Sequence, residues 1–237
     1  MLSIVCWKWR PIDGYRSRYT DDTVNILRRM VARHYPDPHR FICVTDQPGR
    51  FHSDVEVVPL WNDFADLPHP QNPMFPSCYR RLRAFAPDIE AVFGKRFVSL
   101  DLDTVICDDM RPVWNRPEDF VIWGDTNPQP GSHYNGGMVL MTAGARKGVW
   151  EQFDPKTSPK KAFQARCWGS DQGWISYYLG PGETKWSKLD GVYSYRNDLK
   201  TTGGRLPSDA RIVLFHGAVD PWSPCAQRLD WVRTHWC

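Results

Sequence analysis

The sequence predicts an α/β fold, a mostly parallel central sheet flanked by helices, in a single domain over residues 1–237. Three observations carry this expectation. The chain opens in the order strand, helix, strand, strand, which favours parallel pairing with helical cover. Phe97-Val98-Ser99-Leu100 is a short apolar run without glycine or proline and reads as a buried strand. The length of 237 residues suits one substantial core, and no repeat, low-complexity tract or domain-sized linker divides it.

The elements follow in order. Ser3 to Trp9 is a strand with an aromatic and basic exit, Trp7-Lys8-Trp9-Arg10. Thr20 is placed as an N-cap, with Asp21 and Asp22 in the first turn favouring the helix dipole. Val24, Leu27, Met30 and Val31 then make the apolar face of a helix that ends near His34, ahead of Pro36. Phe41 to Thr45 and Val55 to Val58 are the next strands. The proline-rich 59–76 segment reads as a packed surface loop. Ser77 is expected to cap a helix that buries Cys78, Leu82 and Phe85 and carries Arg80, Arg81 and Arg83 on its other faces. Phe120 to Trp123 is a strand, and Gly136 and Gly137 open another through Met141, as glycine does where backbone approaches a ligand. Ala145 to Phe153 has a helical pattern. Ser170 is expected to cap a helix from Asp171 to Leu179 with Trp174, Ile175 and Tyr178 inward. Arg211 to Phe215 is a last strand that delivers His216, and Ala226 to Trp236 a terminal amphipathic helix.

The chain is organised around the exit of the Phe97 strand, where Asp101 and Asp103 flank Leu102. Side chains at i and i+2 of an extended segment share a face, so the two carboxylates point into one space while Leu102 turns toward the core. Most Asp-x-Asp pairs cap turns. At the carboxyl end of an α/β strand, where such sheets bind ligands, the pair points instead to a hard divalent cation.

Composition sets the outer bounds. A net charge of +3 with acids and bases interleaved argues against a nucleic-acid partner and suits a modestly cationic cleft for a phosphorylated substrate. The 12 tryptophans exceed ordinary usage, and some are expected to line clefts for bases or sugars. Seven cysteines, none in a Cys-x-x-Cys motif, form neither a disulfide framework nor a zinc site, and free thiols fit a cytoplasmic location. No run approaches the ~18 apolar residues of a membrane span. No Gly-x-Gly-x-x-Gly follows a strand, which argues against a dinucleotide-dependent dehydrogenase.

Four segments together resemble the GT-A glycosyltransferases, most closely glycosyltransferase family 8. Asp101-Leu102-Asp103 is similar to that fold's Asp-x-Asp motif, and Tyr79-Arg80-Arg81-Leu82 to its Tyr-x-Arg-Leu. Tyr134-Asn135-Gly136-Gly137 and Ser170-Asp171-Gln172 resemble the elements around the donor sugar and acceptor. His216-Gly217 with Pro221-Trp222 resembles the C-terminal histidine segment. The resemblance implies a Rossmann-like GT-A fold and transfer of a sugar from a nucleotide-diphosphate donor, UDP-sugar first, to an unidentified acceptor. It implies a metal held by Asp101, Asp103 and His216, and the imidazole favours manganese over magnesium. Catalysis falls to Asp171 and Gln172, and donor-sugar contacts to Arg81, Tyr79, Asn135, Gly136 and Gly137. Lys8, Trp9, Tyr15 and Leu102 are placed toward the nucleotide.

One position departs from the pattern: Asp220 stands where the family has a lysine facing the donor phosphates. A leaving diphosphate carries more charge than one divalent ion neutralises, so a second cation is expected among Lys185, Lys188, Arg196, Lys200 and Arg205. Arg196 is favoured because the alternation of 192–197 suggests a strand and guanidinium suits phosphate. The competing readings are a nucleotidyltransferase, which lacks its glycine-rich loop here, and a non-catalytic sugar- or nucleotide-binding module.

Overall fold

The structure, a computed structural model, describes residues 1–10, 19–47, 49–124 and 129–237. The first half of the chain runs β1 (Leu2–Lys8), α1 (Asp21–His34), β2 (His39–Thr45), β3 (Val55–Pro59), a 3-10 helix (Tyr79–Phe85), α2 (Glu90–Phe93), β4 (Arg96–Leu100), β5 (Thr104–Ile106) and α3 (Arg111–Trp114). The second half runs β6 (Phe120–Gly124), β7 (Tyr134–Thr142), α4 (Gly148–Glu151), α5 (Ser158–Gln164), α6 (Asp171–Leu179), β8 (Lys185–Trp186), β9 (Val192–Ser194), β10 (Ile212–Leu214) and α7 (Asp230–His235).

Seven strands form the central sheet in the order β3-β2-β1-β4-β7-β6-β8. The β3-β2, β2-β1, β1-β4 and β6-β8 pairs are parallel, while β7 lies antiparallel to both β4 and β6. Side chains alternate between two buried faces. Ile4, Cys6, Val98 and Leu100 pack with α1 on one face, and Val5, Trp7, Ile42 and Phe97 pack with the 3-10 helix and α2 on the other. Burial on both sides is why these strands are apolar throughout. Trp7 Nε1 donates to Ser99 Oγ at 2.9 Å, so the polar atoms on the second face pair with each other. A smaller sheet, β5-β10-β9, stands at the carboxyl end of β4.

Helix α1 starts as its sequence dictates. Thr20 Oγ1 accepts from the Thr23 amide, and Thr23 Oγ1 accepts in turn from the Thr20 amide at 3.2 Å. Other local expectations give way to tertiary demands. The segment after Ser77 is a 3-10 helix without a side-chain cap, because the Cys78 amide is taken by Ser170 Oγ at 2.8 Å. The same bond explains why Ser170 does not cap α6. Tyr178 is 40% exposed rather than inward; Gly173 and Ser176 occupy the buried face with Trp174 and Ile175. The 145–153 helix shrinks to α4, preceded by a turn at Gly144, whose φ of +80° favours glycine. The C-terminal helix divides into a 3-10 turn at Ala226–Arg228 and α7.

Thr20→Ala should cost about 1 kcal/mol by removing the reciprocal cap. Urea unfolding should register this as a lower midpoint with an unchanged slope.

Candidate active site

Beyond Leu100 the alternation of β4 continues for one more residue on each face. Asp101 emerges on the side of Phe97 and Ser99, whereas Leu102 is buried in the cluster that contains Val98 and Leu100. The Asp101 amide donates to Gly137 O at 2.8 Å, which fixes the strand end against β7. Above it lies Arg81, delivered by the 3-10 helix. Its Nη1 donates to Asp101 Oδ1, and its Nε donates to Asp171 Oδ2 at 2.8 Å, from the first residue of α6. The Arg81 and Asp171 side chains are only 10% and 5% exposed. Burial alone would lower the proton affinity of Arg81, but Asp101 and Asp171 outweigh it and hold the guanidinium well above its ordinary range.

The second carboxylate, Asp103, has no such cation against it among the described residues. Burial, then the like charges of Asp101 and Asp220, push its proton affinity well up. Burial raises Asp101 as well, with Arg81 opposing. Tyr19 lies in the same field: burial and then Asp103 and Asp101 raise its hydroxyl, and its ring meets Trp222 edge-on at 5.7 Å. Asp220 is 4% exposed and turned into this group, its amide on Ser223 Oγ at 3.0 Å. Arg81 thus holds Asp101 and Asp171, while Asp103 shares the field of Asp101 and Asp220.

The two glycines sit where the β6–β7 register slips, between Ile122 paired with Val139 and Trp123 paired with Asn135. A Cβ on Gly136 would stand 3.1 Å from both Arg81 Nη2 and Asp171 Oδ2, so glycine lets the strand pass close to the ion pair. Asn135 Oδ1 accepts from the Gly137 amide at 2.9 Å and shapes the bulge; Gln172 Oε1 accepts from the Gly136 amide at 3.4 Å.

The small sheet brings in the C-terminal segment. The Phe215 amide donates to Asp103 O at 2.8 Å, which sets His216 beside the carboxylates in the chain's path. The His216 ring turns to Ser194, with Nε2 2.7 Å from Oγ, and lies edge-on to Trp123. Burial and then Arg196 push its proton affinity down to about 4. Strand β9 ends at Ser194, earlier than the alternation predicts, because Asp198 Oδ2 accepts from the Ser194 amide and Ser194 Oγ from the Asn197 amide. A π-helical turn, Tyr195–Leu199, follows and exposes Arg196 next to Gly217.

Several expected contacts fall elsewhere. Lys8 is 4% exposed, ion-paired with Asp21 at 3.0 Å and bonded to Gln47, so it anchors α1 to β1. Tyr79 is fully buried against Phe153, a core position. The Leu102 side chain is core too, and Tyr15 lies outside the described residues. Trp9 does face open space, a cleft of about 340 Å³ shared with Arg10, His69, Phe75 and Arg80. Burial lowers the proton affinity of His69 in that cleft, with the charge of Asp171 opposing. Tyr19 and His69 went unnoticed in the sequence because neither belongs to a recognisable spacing.

A divalent cation suits Asp101 and Asp103 chemically, since two neighbouring, half-buried like charges are what such an ion relieves. Among the described residues, no three His, Cys, Asp or Glu side chains are gathered to hold one as they stand. Asp101 is engaged by Arg81, and His216 by Ser194.

No protein-family model and no curated protein matches the chain. Its fold does match solved structures. The galactosyltransferase LgtC, solved with donor and acceptor sugar analogs, aligns at a TM-score of 0.65 and 14% identity over 98% of this chain and 93% of LgtC. The glycosyltransferase GlyE of Streptococcus pneumoniae aligns at 0.57 and 12% identity over 100% of this chain and 62% of its own. The bifunctional glycosyltransferase WbbM gives 0.56 and 14% identity over 95% and 47%. The chain therefore shares the Rossmann-like glycosyltransferase fold.

Arg81→Ala should destabilise the protein by about 3 kcal/mol or more, because it strands the buried Asp171 charge. Arg81→Lys should recover part of this loss, since an ammonium keeps the charge but not the two-sided fork. Chemical denaturation of both variants tests the order; equal stability of wild type and Arg81→Ala would remove the ion pair from its central place.

Proposed function

We propose that this protein is a metal-dependent glycosyltransferase of the family 8 kind, moving a sugar from a nucleotide-diphosphate donor, UDP-sugar first, to an acceptor. The observation that carries this is the Arg81 bridge. It joins Asp101, at the strand end where α/β sheets receive ligands, to Asp171, at the start of α6, with the backbone of Gly136 against both. The fold shared with LgtC and GlyE supports the same reading.

In this reading Asp101 and Asp103 hold a divalent cation, manganese in preference to magnesium, with His216 as a third ligand. When bound, that ion neutralises charge on the diphosphate. The protein's own groups do the rest. Arg81 holds Asp171 in place through its Nε–Oδ2 bond. The Asp171 carboxylate, with the Gln172 amide, faces the sugar carbon and stabilises positive charge that develops there as the bond to the diphosphate breaks. The absence of a side chain at Gly136 leaves the ion pair unpressed by the neighbouring strand. Trp9 offers a flat face for the nucleobase in its cleft.

Two outcomes test the proposal. Calorimetry should detect UDP binding that needs manganese and that Asp103→Ala abolishes; binding indifferent to either would refute the metal site. Asp171→Asn should lower donor-sugar turnover roughly a hundredfold while UDP affinity stays within about threefold. Intact turnover in that variant would reduce Asp171 to a structural partner of Arg81.

A further inference from the structure

The positive charge of the chain is not spread evenly. Between residues 155 and 168 the sequence places Lys156, Lys160, Lys161 and Arg166 and no acidic residue. These four charges exceed the +3 of the whole chain, so the rest of the protein is net negative. All four side chains are exposed, and none belongs to an ion pair among the described residues. The acids that precede them are committed elsewhere. Asp154 Oδ1 accepts from the Lys156 amide at 2.8 Å and Oδ2 from the Thr157 hydroxyl at 3.1 Å, while Glu151 pairs with Lys147.

Local structure turns this run into a surface. Helix α5 buries only Ser158 and Ala162, four residues apart on one stripe, so Lys160 and Phe163 point away from the core. The helix closes in a turn where the Cys167 amide donates to Ala162 O and the Arg166 amide to Phe163 O, both at 3.0 Å. Arg166 takes the left-handed position of that turn, at φ +57°, where glycine is the usual occupant. A long cation thus stands at the one place in the turn where a bare residue is less strained. Aromatic rings lie among the charges: Phe163 is 43% exposed, Trp168 37% and Tyr177 41%. Tyr177 stands one turn beyond Gly173, whose Cβ would meet Cys167 O at 2.7 Å, so it borders the same face.

We infer that this face, α5 with its closing turn and the Tyr177 side of α6, docks on a membrane surface that bears anionic lipid headgroups. Charge complementarity selects the partner. Cations at such a surface are each worth about fivefold in affinity. The exposed rings suit the layer just beneath the headgroups, where aromatic side chains settle. Long lysine stems let the ammonium groups stay among the headgroups while the rings sit deeper. A nucleic-acid duplex would use the cations but offer Phe163 no apolar layer to enter. No helix among the described residues is long and apolar enough to cross a bilayer, so the contact is peripheral. The inference stands apart from sugar transfer, yet Asp171 lies just beyond Trp168, so docking sets the mouth of the candidate site near the headgroups.

Cosedimentation tests it, with vesicles of phosphatidylcholine alone and of phosphatidylcholine and phosphatidylglycerol at about 7:3. The wild type should bind the mixed vesicles at least about tenfold more tightly than the neutral ones, and raised salt should release it. Lys160→Gln/Lys161→Gln should weaken binding about twentyfold or more. Phe163→Ser should weaken it as well, with its salt dependence unchanged. Unchanged thermal unfolding of both variants shows that the fold is intact. The control is Lys200→Gln/Arg205→Gln, which removes the same charge near Leu199, on the α1 face of the central sheet, whereas α6 packs on the opposite face. It should bind as the wild type does. Equal weakening in the control would reduce the effect to net charge and overturn the docking face. No binding of mixed vesicles by the wild type, or wild-type binding by Phe163→Ser, overturns it too. A DNA duplex bound as tightly as the mixed vesicles at matched salt would replace the membrane with any polyanion and discard the inference.

Discussion

The ion pair between Arg81 and its two carboxylates is the constraint on which the rest of the site depends. It ties together three pieces of chain distant in sequence: the 3-10 helix, the exit of β4 and the first turn of α6. Buried charges of this kind contribute little net stability, because desolvation consumes most of the attraction. What they contribute is position. Each carboxylate is held at one point relative to the other, and the backbone at Gly136 must remain bare for the bridge to close. The same demand accounts for the departures from simple capping, since Ser170 spends its hydroxyl on the Cys78 amide and so clamps α6 to the helix that carries Arg81.

Much of this could be read from the amino acids. The buried strand ending in Asp101 and Asp103, the inward turn of Leu102, the reciprocal cap at Thr20 and the mostly parallel sheet all follow from local pattern, and the structure has them. Arg81 was separable from Arg80 and Arg83 only through its motif, because periodicity alone treats all three as surface charges. What eluded the sequence was set by long-range partners. Lys8 looks like a cleft residue until Asp21 claims it, Tyr79 until Phe153 packs on it. The strand expected to present Arg196 stops short because the Asp198 carboxylate takes the Ser194 amide. Bonds of that sort depend on turns, whose residues carry no period.

Asp220 adds a carboxylate whose charge is felt at both Asp103 and Tyr19. With it the carboxylate group runs from the end of β4 round to the 216–220 loop, and the basic side chains stand apart on the 195–200 turn. A ligand that spans both regions experiences a field that runs in one direction along its length, which favours a molecule with its own charge separation. Such a field also fixes which end of the ligand enters first.

The small sheet carries a consequence for how the protein comes to be made. Strand β10 reaches back to β5, and just beyond it Arg211 Nη1 donates to Asp109 O at 2.7 Å across 102 positions of sequence. A chain emerging from the ribosome has completed β1, β2 and β4 long before β10 exists. Strands β1, β2 and β4 of the central sheet thus come from early segments, whereas the wall that carries His216 waits for β10. Carboxylates crowded at the end of β4 stay open to water during that interval. The wall at this site therefore forms only once β10 has been made.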